Sequence, residues 1–400
     1  MPLWKRNLGV LWFGSFATGA GMSLVLPFLP LYIEMLGIHS VAAVEQWSGI
    51  AYGSTFLTAA ILSPLWGKLA DQRGRKLMLL RASLGMAIVM TLMGFAQNVY
   101  QLVGLRLLMG MVSGYISAAI TMVATQTPRE HSGWALGTLS TGQVGGMLLG
   151  PILGGWLAEV IGLRHVFFIT GGLLFLAFIV SYLFVKENFN WRKSVELSFK
   201  EVWSKVENPK AVLAMFVTTL MIQLANLSIE PIVTVYVKQL VQDVSHIALI
   251  SGFVVSASGF AIVLSASRLG KISDRKGPGK VLFFSLLLAA VVFIPQAFVQ
   301  NPWQLMGLRF ILGIATAGML PAVNTLIKKN VPDTVSGRVF GYNQSAQYLG
   351  SVAGPILGGQ MAAYYGIRYV FFSTAALLVI NALWVRQIEK MKNRQQELPS

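Results

Sequence analysis

MIQLANLSIEPIVTVYV, residues 221 to 237, is an apolar stretch that carries two amides and one acid, Gln223, Asn226 and Glu230. Their spacing of i, i+3, i+7 puts all three on one face of a helix. Such a face can hydrogen-bond a ligand and exchange one proton or one cation. The chain has fifteen acids, and most fall in loops or at the ends of apolar stretches. Glu34 lies near the end of one such stretch, and Glu230 alone falls well inside one. Two basic residues are buried in the same way by sequence, Arg106 and Arg309. An ionisable group inside an apolar span costs about 2.5–3.5 kcal/mol on insertion scales and is a functional candidate for that reason.

The elements that hold these groups follow from composition. With 55% hydrophobic residues, 12% charged and a mean hydropathy of +0.65 over 400 residues, the chain is too apolar for an ordinary water-exposed surface. A transmembrane helix needs about 20 mostly apolar residues. Spans of that kind are expected at 8–36, 46–67, 77–97, 99–125, 133–160, 164–186, 210–238, 246–269, 279–299, 302–327, 335–363 and 366–388. The fold class is therefore an all-α membrane protein of twelve transmembrane helices. The first span is too long for a signal-peptide core and reads as retained.

Net charge is +16, so the position of the 31 Lys and Arg decides what they do. With a cytoplasmic N-terminus, the outer loops hold only Arg164, Lys238 and Arg368, the spans hold Arg106 and Arg309, and the cytoplasmic side holds the rest. This is the positive-inside pattern, with both termini in the cytoplasm of a multi-pass protein of the inner (plasma) membrane. It argues against a nucleic-acid partner. Cysteine is absent and the four histidines lack ligand spacing, so no metal site is expected. No G-x-x-x-x-G-K-[ST] motif occurs, so there is no phosphate cradle of that kind; an ion gradient is the natural energy source and no cofactor is expected.

The chain also repeats itself. GKLADQRGRK at 67–76 returns as GKISDRKGPGK at 270–280, FAQNVYQLVGLRLLMG at 95–110 as FVQNPWQLMGLRFILG at 298–313, and GPILGGWLAEVIGLRHVFF at 150–168 as GPILGGQMAAYYGIRYVFF at 354–372. The offset is 203 residues, shifting to 204 in the last block. Two six-helix bundles, 1–186 and 210–400, are thus expected as parallel repeats. Between them, Trp191, Val195, Phe199, Val202 and Val206 oppose Lys193, Lys200 and Lys205, which predicts an amphipathic cytoplasmic linker over 187–209.

These motifs resemble the drug:proton antiporter family of the major facilitator superfamily. Residues 67–76 are similar to its signature loop, Arg106 with Gly110 to its helix 4 motif, and GQVGGMLLGPILGG at 142–155 to its helix 5 antiporter motif. The resemblance spans essentially the whole chain, and the wording around WALGTLSTG and GPILGG is close to bacterial multidrug exporters. It implies a pseudo-symmetric major facilitator fold with a cavity lined by helices 1, 4, 7 and 10. Gln223, Asn226, Tyr115, Ser117 and Asn324 would face small lipophilic substrates there. Glu230, Arg106 and Glu34 would couple transport to protons, with Glu34 the acid nearest Arg106 by depth. Gly67, Asp71, Gly74, Arg75, Lys76 and, in the echo, Asp274 would form the cytoplasmic gate.

Several roles stay open at this level. Asp71 either neutralises its basic neighbours or latches a neighbouring helix N-terminus while the cytoplasmic side is shut. Gly142, Gly146, Gly150, Pro151, Gly154 and Gly155 either permit close packing alone or also seal the two halves in export. Gly350, Gly354, Pro355, Gly358 and Gly359 repeat that pattern. Glu230 is either the proton carrier or a packing acid, and Arg106 either functional or scaffold. Pro27, Pro30 and Pro231 should bend helices 1 and 7. The favoured activity is proton-coupled multidrug efflux by a monomer in contact with membrane lipid, with no enzymatic chemistry. A proton-coupled exporter of one metabolite, sugar or lipid is the alternative, and a non-transporting receptor or scaffold a third.

Overall fold

Two copies of a short polar phrase start equivalent helices in the same way. Asn98 Oδ1 accepts from Gln101 N at 2.9 Å, and Gln101 Oε1 accepts in return from Gln97 N at 2.9 Å. Asn301, Gln304 and Gln300 make the same two bonds at 2.9 Å. The repeated Gln-Asn-x-x-Gln is therefore a reciprocal cap that satisfies backbone donors at each helix start. Asn301→Ala should lower stability by about 1 kcal/mol, read as a drop in unfolding temperature in detergent; an unchanged temperature would deny the cap its role.

The computed structural model describes residues 2–187, 199–241 and 246–397. The helices are α1 Leu3–Ser23, α2 Leu29–Met35, α3 Val41–Arg73, α4 Arg75–Gly94, α5 Val99–Val112, α6 Tyr115–Gln126, α7 Ser132–Ile161, α8 Leu163–Phe184, α9 Phe199–Ser204, α10 Pro209–Ile229, α11 Val233–Leu240, α12 Ile247–Lys276, α13 Pro278–Gln296, α14 Pro302–Lys328, α15 Asp333–Tyr365 and α16 Ile367–Glu397. No strand occurs among the described residues. Ten helical segments there are long and apolar enough to cross a membrane. The other two expected spans fall on α3 and α15, each 33 residues and diluted by Gly, Ser and Thr or by Asn343, Gln344 and Gln347. Large apolar side chains such as Ile61, Phe284, Val291 and Ile380 point outward, which suits hydrocarbon rather than water.

Single glycines punctuate the helices. Gly74 (φ +90°) separates α3 from α4, and Gly277 (φ +92°) separates α12 from α13. The stretch expected as a loop at 67–76 is therefore helical on both sides of one residue, because only Gly74 needs the left-handed region. Asp71 and Asp274 belong to helices rather than loops. Proline acts where expected: 3₁₀ turns at Leu26–Phe28 and Glu230–Ile232 interrupt the first and seventh spans. The fourth span breaks at Ser113–Gly114 (φ +123°), whereas its counterpart α14 runs unbroken with Ala317 at the matching position. Arg81 stacks on Trp66 at 3.7 Å and donates to Ser113 O at 2.8 Å, taking up a carbonyl that the break frees. Of the expected linker helix, α9 covers Phe199–Ser204, and Trp191, Lys193 and Val195 lie outside the described residues.

The chain forms two compact units. One comprises 1–194 together with 233–256, and the other 195–232 together with 257–400. In the first, α1 packs chiefly on α7, α4 on α8 and α3 on α5; in the second, α10 packs on α15 and α13 on α14 and α16. The glycine stripe makes the α1–α7 contact possible. A Cβ at Gly142 would stand 2.6 Å from Trp12 O, and one at Gly146 would meet Phe16 O and stand 2.6 Å from Ala20 N. Gly150 and Gly154 lie likewise against Ser23 and Leu24. In the second unit, Gly350, Gly354 and Gly358 meet Leu220, Leu224 and Ser228 of α10, the positions 204 residues later.

Candidate functional site

α10 ends at Ile229, and Glu230 opens the 3₁₀ turn because Pro231 cannot supply the next helical N–H. The turn aims the Glu230 side chain at α14. There Arg309 Nη1 donates to Glu230 Oε1 at 3.0 Å. The Arg309 side chain is 3% exposed and that of Glu230 21%, so the arginine is fixed in the bundle while the carboxylate keeps an accessible edge. Nε and Nη2 of Arg309 have no acceptor among the described residues. The carboxylate thus pairs with Arg309 on one side and keeps an open edge on the other.

Gln223 and Asn226 lie on the same helix and are half-buried, with Gln223 Nε2 and Ser351 Oγ at 3.5 Å. Asn324 accepts from Asn343 Nδ2 at 3.3 Å. The remaining expected cavity residues belong to the first unit. Ser117 is exposed. Tyr115 is fully buried, its OH 2.9 Å from Ser181 Oγ and its ring against Gly14, so it packs the bundle instead of presenting a surface.

Glu34 meets Lys238 Nζ at 2.7 Å, not Arg106. Depth alone had paired it with Arg106, but the 3₁₀ turn before α2 carries Glu34 away. Nearby, Glu159 accepts from Leu249 N at 3.0 Å, with His246 Nδ1 also 3.0 Å away. Ser256 Oγ donates to Leu148 O at 3.0 Å, and the Cβ positions of Gly155 and Gly252 meet Ala248 and Pro151. The glycines of α7 thus contact α12 as well as α1.

At the α3–α4 corner, Glu187 accepts from the backbone N–H of Arg75 at 3.0 Å and of Lys76 at 2.7 Å, capping α4. Lys76 Nζ donates to Tyr182 O at 3.0 Å. Gly67 is mid-helix with open space around its Cα, Asp274 is exposed on α12, and the Asp71 side chain lies outside the described set. Sequence reading passed over Glu187 as a loop acid, because its partners are more than a hundred residues away. It passed over Glu45 as well, which is 3% exposed at the start of α3. Glu45, Ser48, Tyr52 and Thr55 are all buried and share one face of α3, a spacing that the sequence did display.

Arg106, the repeat partner of Arg309, is 3% exposed, and Thr55 Oγ1 donates to its carbonyl at 3.1 Å. The position that matches Glu230 in the first repeat is Leu26, 204 residues earlier. The two half-sites are thus unlike: an arginine faces a carboxylate in one and a leucine in the other.

Comparison with known proteins agrees with this architecture. The chain matches the Major Facilitator Superfamily profile over residues 11–295 and 232–398. It is 53% identical over 382 residues to "Multidrug resistance protein MdtG" of Salmonella typhimurium, covering 95% of each chain. Among solved structures it resembles a bacterial homolog to the human lysosomal transporter Spinster. The inward-facing occupied form gives a TM-score of 0.82 at 16% identity, over 98% of this chain and 97% of that one. The inward-facing unoccupied form gives 0.79 at 16% identity over 100% of both. At that identity the structures bear on the fold, while the profile and the close relative bear on descent. With its duplicated six-helix pattern, its paired prolines and its glycine-packed α1–α7 and α10–α15 contacts, the chain belongs to the Major Facilitator Superfamily.

Proposed function

We propose that this protein is a proton-coupled multidrug efflux antiporter that exports lipophilic, often cationic compounds by alternating access. The observation that carries the reading is the Glu230–Arg309 pair, a single accessible carboxylate in the turn that follows the half-buried amides Gln223 and Asn226. Proton-bound and substrate-bound forms of Glu230 exclude one another, so a cationic compound displaces the proton and an incoming proton displaces the compound. Arg309 holds the carboxylate in place between these events. The 53% identity to a multidrug resistance protein supports the substrate class.

The protein works as a monomer in the inner membrane, without a cofactor or nucleic acid, with lipid around it and both termini in the cytoplasm. Asp71 and the α3–α4 corner act as the cytoplasmic gate, with Asp274 as a weaker counterpart. The α7 glycines take part in closing the opposite side. Arg106 and Glu34 act on proton access rather than as the carrier.

The test is ethidium or Hoechst efflux from proteoliposomes under an imposed pH gradient. Wild type should transport, and an ionophore that collapses the gradient should stop it. Glu230→Gln should reduce gradient-driven efflux to background. Undiminished proton-driven efflux in Glu230→Gln would remove the residue from the mechanism, and no dye movement in wild type would favour an exporter of one specific metabolite.

A further inference from the structure

The first unit buries a cation, Arg106, that pairs with no acid among the described residues. Arg106 has the position in α5 that Arg309 has in α14, yet Leu26 stands where Glu230 would be. A guanidinium carries five N–H donors and keeps its charge at any working pH. Nε and Nη2 of Arg106 have no acceptor among the described residues. Beside it lies a cavity of about 30 Å³, lined by Arg106, Thr18, Tyr52, Thr55 and Leu26 among apolar neighbours.

The acids nearby do not reach it. Glu34 is held by Lys238. Glu45 shares the buried face of α3 but lies seven residues beyond Tyr52, which is about 10 Å along the helix. Ser48 lies between them with its hydroxyl unpartnered among the described residues. The Thr18 hydroxyl donates to Gly14 O and the Thr55 hydroxyl to Arg106 O, so neither supplies negative charge.

We propose that this cavity binds one small monovalent anion, chloride in the cell, with Arg106 Nε and Nη2 as its donors. The site does for the first repeat what Glu230 does for the second: it balances a buried arginine, with a diffusible ion in place of a carboxylate. The volume suits a single halide, and the largely apolar lining disfavours the more strongly hydrated sulfate and gluconate. The methionine and leucine walls suit a weakly hydrated ion, so bromide should replace chloride. Two waters would satisfy the same donors while leaving the charge unbalanced, and the experiment separates these cases.

The test is thermal unfolding of the purified full-length protein in detergent, with chloride exchanged for gluconate at constant ionic strength. The unfolding temperature should rise by about 1–2 °C for each tenfold increase in chloride above its Kd. Bromide should act likewise, and sulfate and gluconate should not. Arg106→Gln should abolish the halide dependence. Leu26→Glu, which places a carboxylate where the second repeat has one, should abolish it as well while retaining a folded protein, and it carries the test if Arg106→Gln does not fold. A wild-type unfolding temperature indifferent to halide would overturn the proposal and leave water as the occupant. So would an equal response in Leu26→Glu, which would mark a general salt effect. The readout involves no transport, so the result is independent of the role given to Glu230.

Discussion

Gly146→Val should yield no monodisperse protein from membranes, while Gly145→Ala, one residue away, should purify as wild type. The difference is in what each new Cβ meets. At Gly146 it collides with Phe16 O and stands 2.6 Å from Ala20 N, both backbone atoms of α1 that no rotamer change can move. At Gly145 the nearest atom is Phe16 Cδ2 at 3.8 Å, ordinary contact distance. Relief at 146 requires α1 to move off α7, which also opens the contacts at Gly142, Gly150 and Gly154. Overpacking alone costs about 1–3 kcal/mol and more where backbone must shift. In a bilayer this contact has little hydrophobic drive to offset the loss, because lipid tails solvate a separated helix as well as a packed one. Gly145→Ala, free of any clash, should gain about 0.5–1 kcal/mol from helix propensity. Size-exclusion profiles and unfolding temperatures measure both, and a wild-type profile for Gly146→Val would show that α1 and α7 do not depend on this approach.

Removing either partner of the Glu230–Arg309 pair should have unequal effects. Glu230→Ala leaves the 3%-exposed Arg309 with a charge it cannot shed, at a cost of about 3 kcal/mol. Arg309→Met leaves a carboxyl that can take up a proton, so it should cost clearly less. The double variant Glu230→Ala/Arg309→Met should recover most of the loss, because two apolar side chains need no pairing. Denaturation of all four proteins forms a double-mutant cycle. Additive losses would mean that the pair is not a unit. Stability should return in the double variant, and gradient-driven efflux should not, which separates the structural worth of the pair from its part in coupling.

Much of this architecture was written in local signals. The repeat offsets, the helix-starting Gln-Asn-x-x-Gln and the proline breaks are short-range, and each acts where its residues lie. Glu230 was legible for a similar reason, as the one acid deep in an apolar run. Its partner was not, because Arg309 is 79 residues away and no periodicity links a helix face to one particular neighbour. Depth along the membrane was a poor substitute: it drew Glu34 toward Arg106, while the bend at Leu26–Phe28 sends Glu34 to Lys238. The corner at 67–76 read as a loop because glycines and charges cluster there, yet the backbone needs only Gly74 to turn. Tyr115 read as a cavity residue from its helix alone. The break at Gly114 resets the helical phase and turns the side chain into the bundle.

The first unit is discontinuous in the chain, and this has a consequence for how the protein is made. Residues 233–256 belong with 1–194, so the ribosome must synthesise α9 and α10, which belong to the other unit, before the first can be finished. Until then Glu34 lacks Lys238, and Glu159 lacks both His246 and the Leu249 N–H. A nascent chain released at about residue 194 would therefore expose two unpaired carboxylates and an uncovered stretch of α7 glycines. Completion of the first unit has to wait for the start of α12.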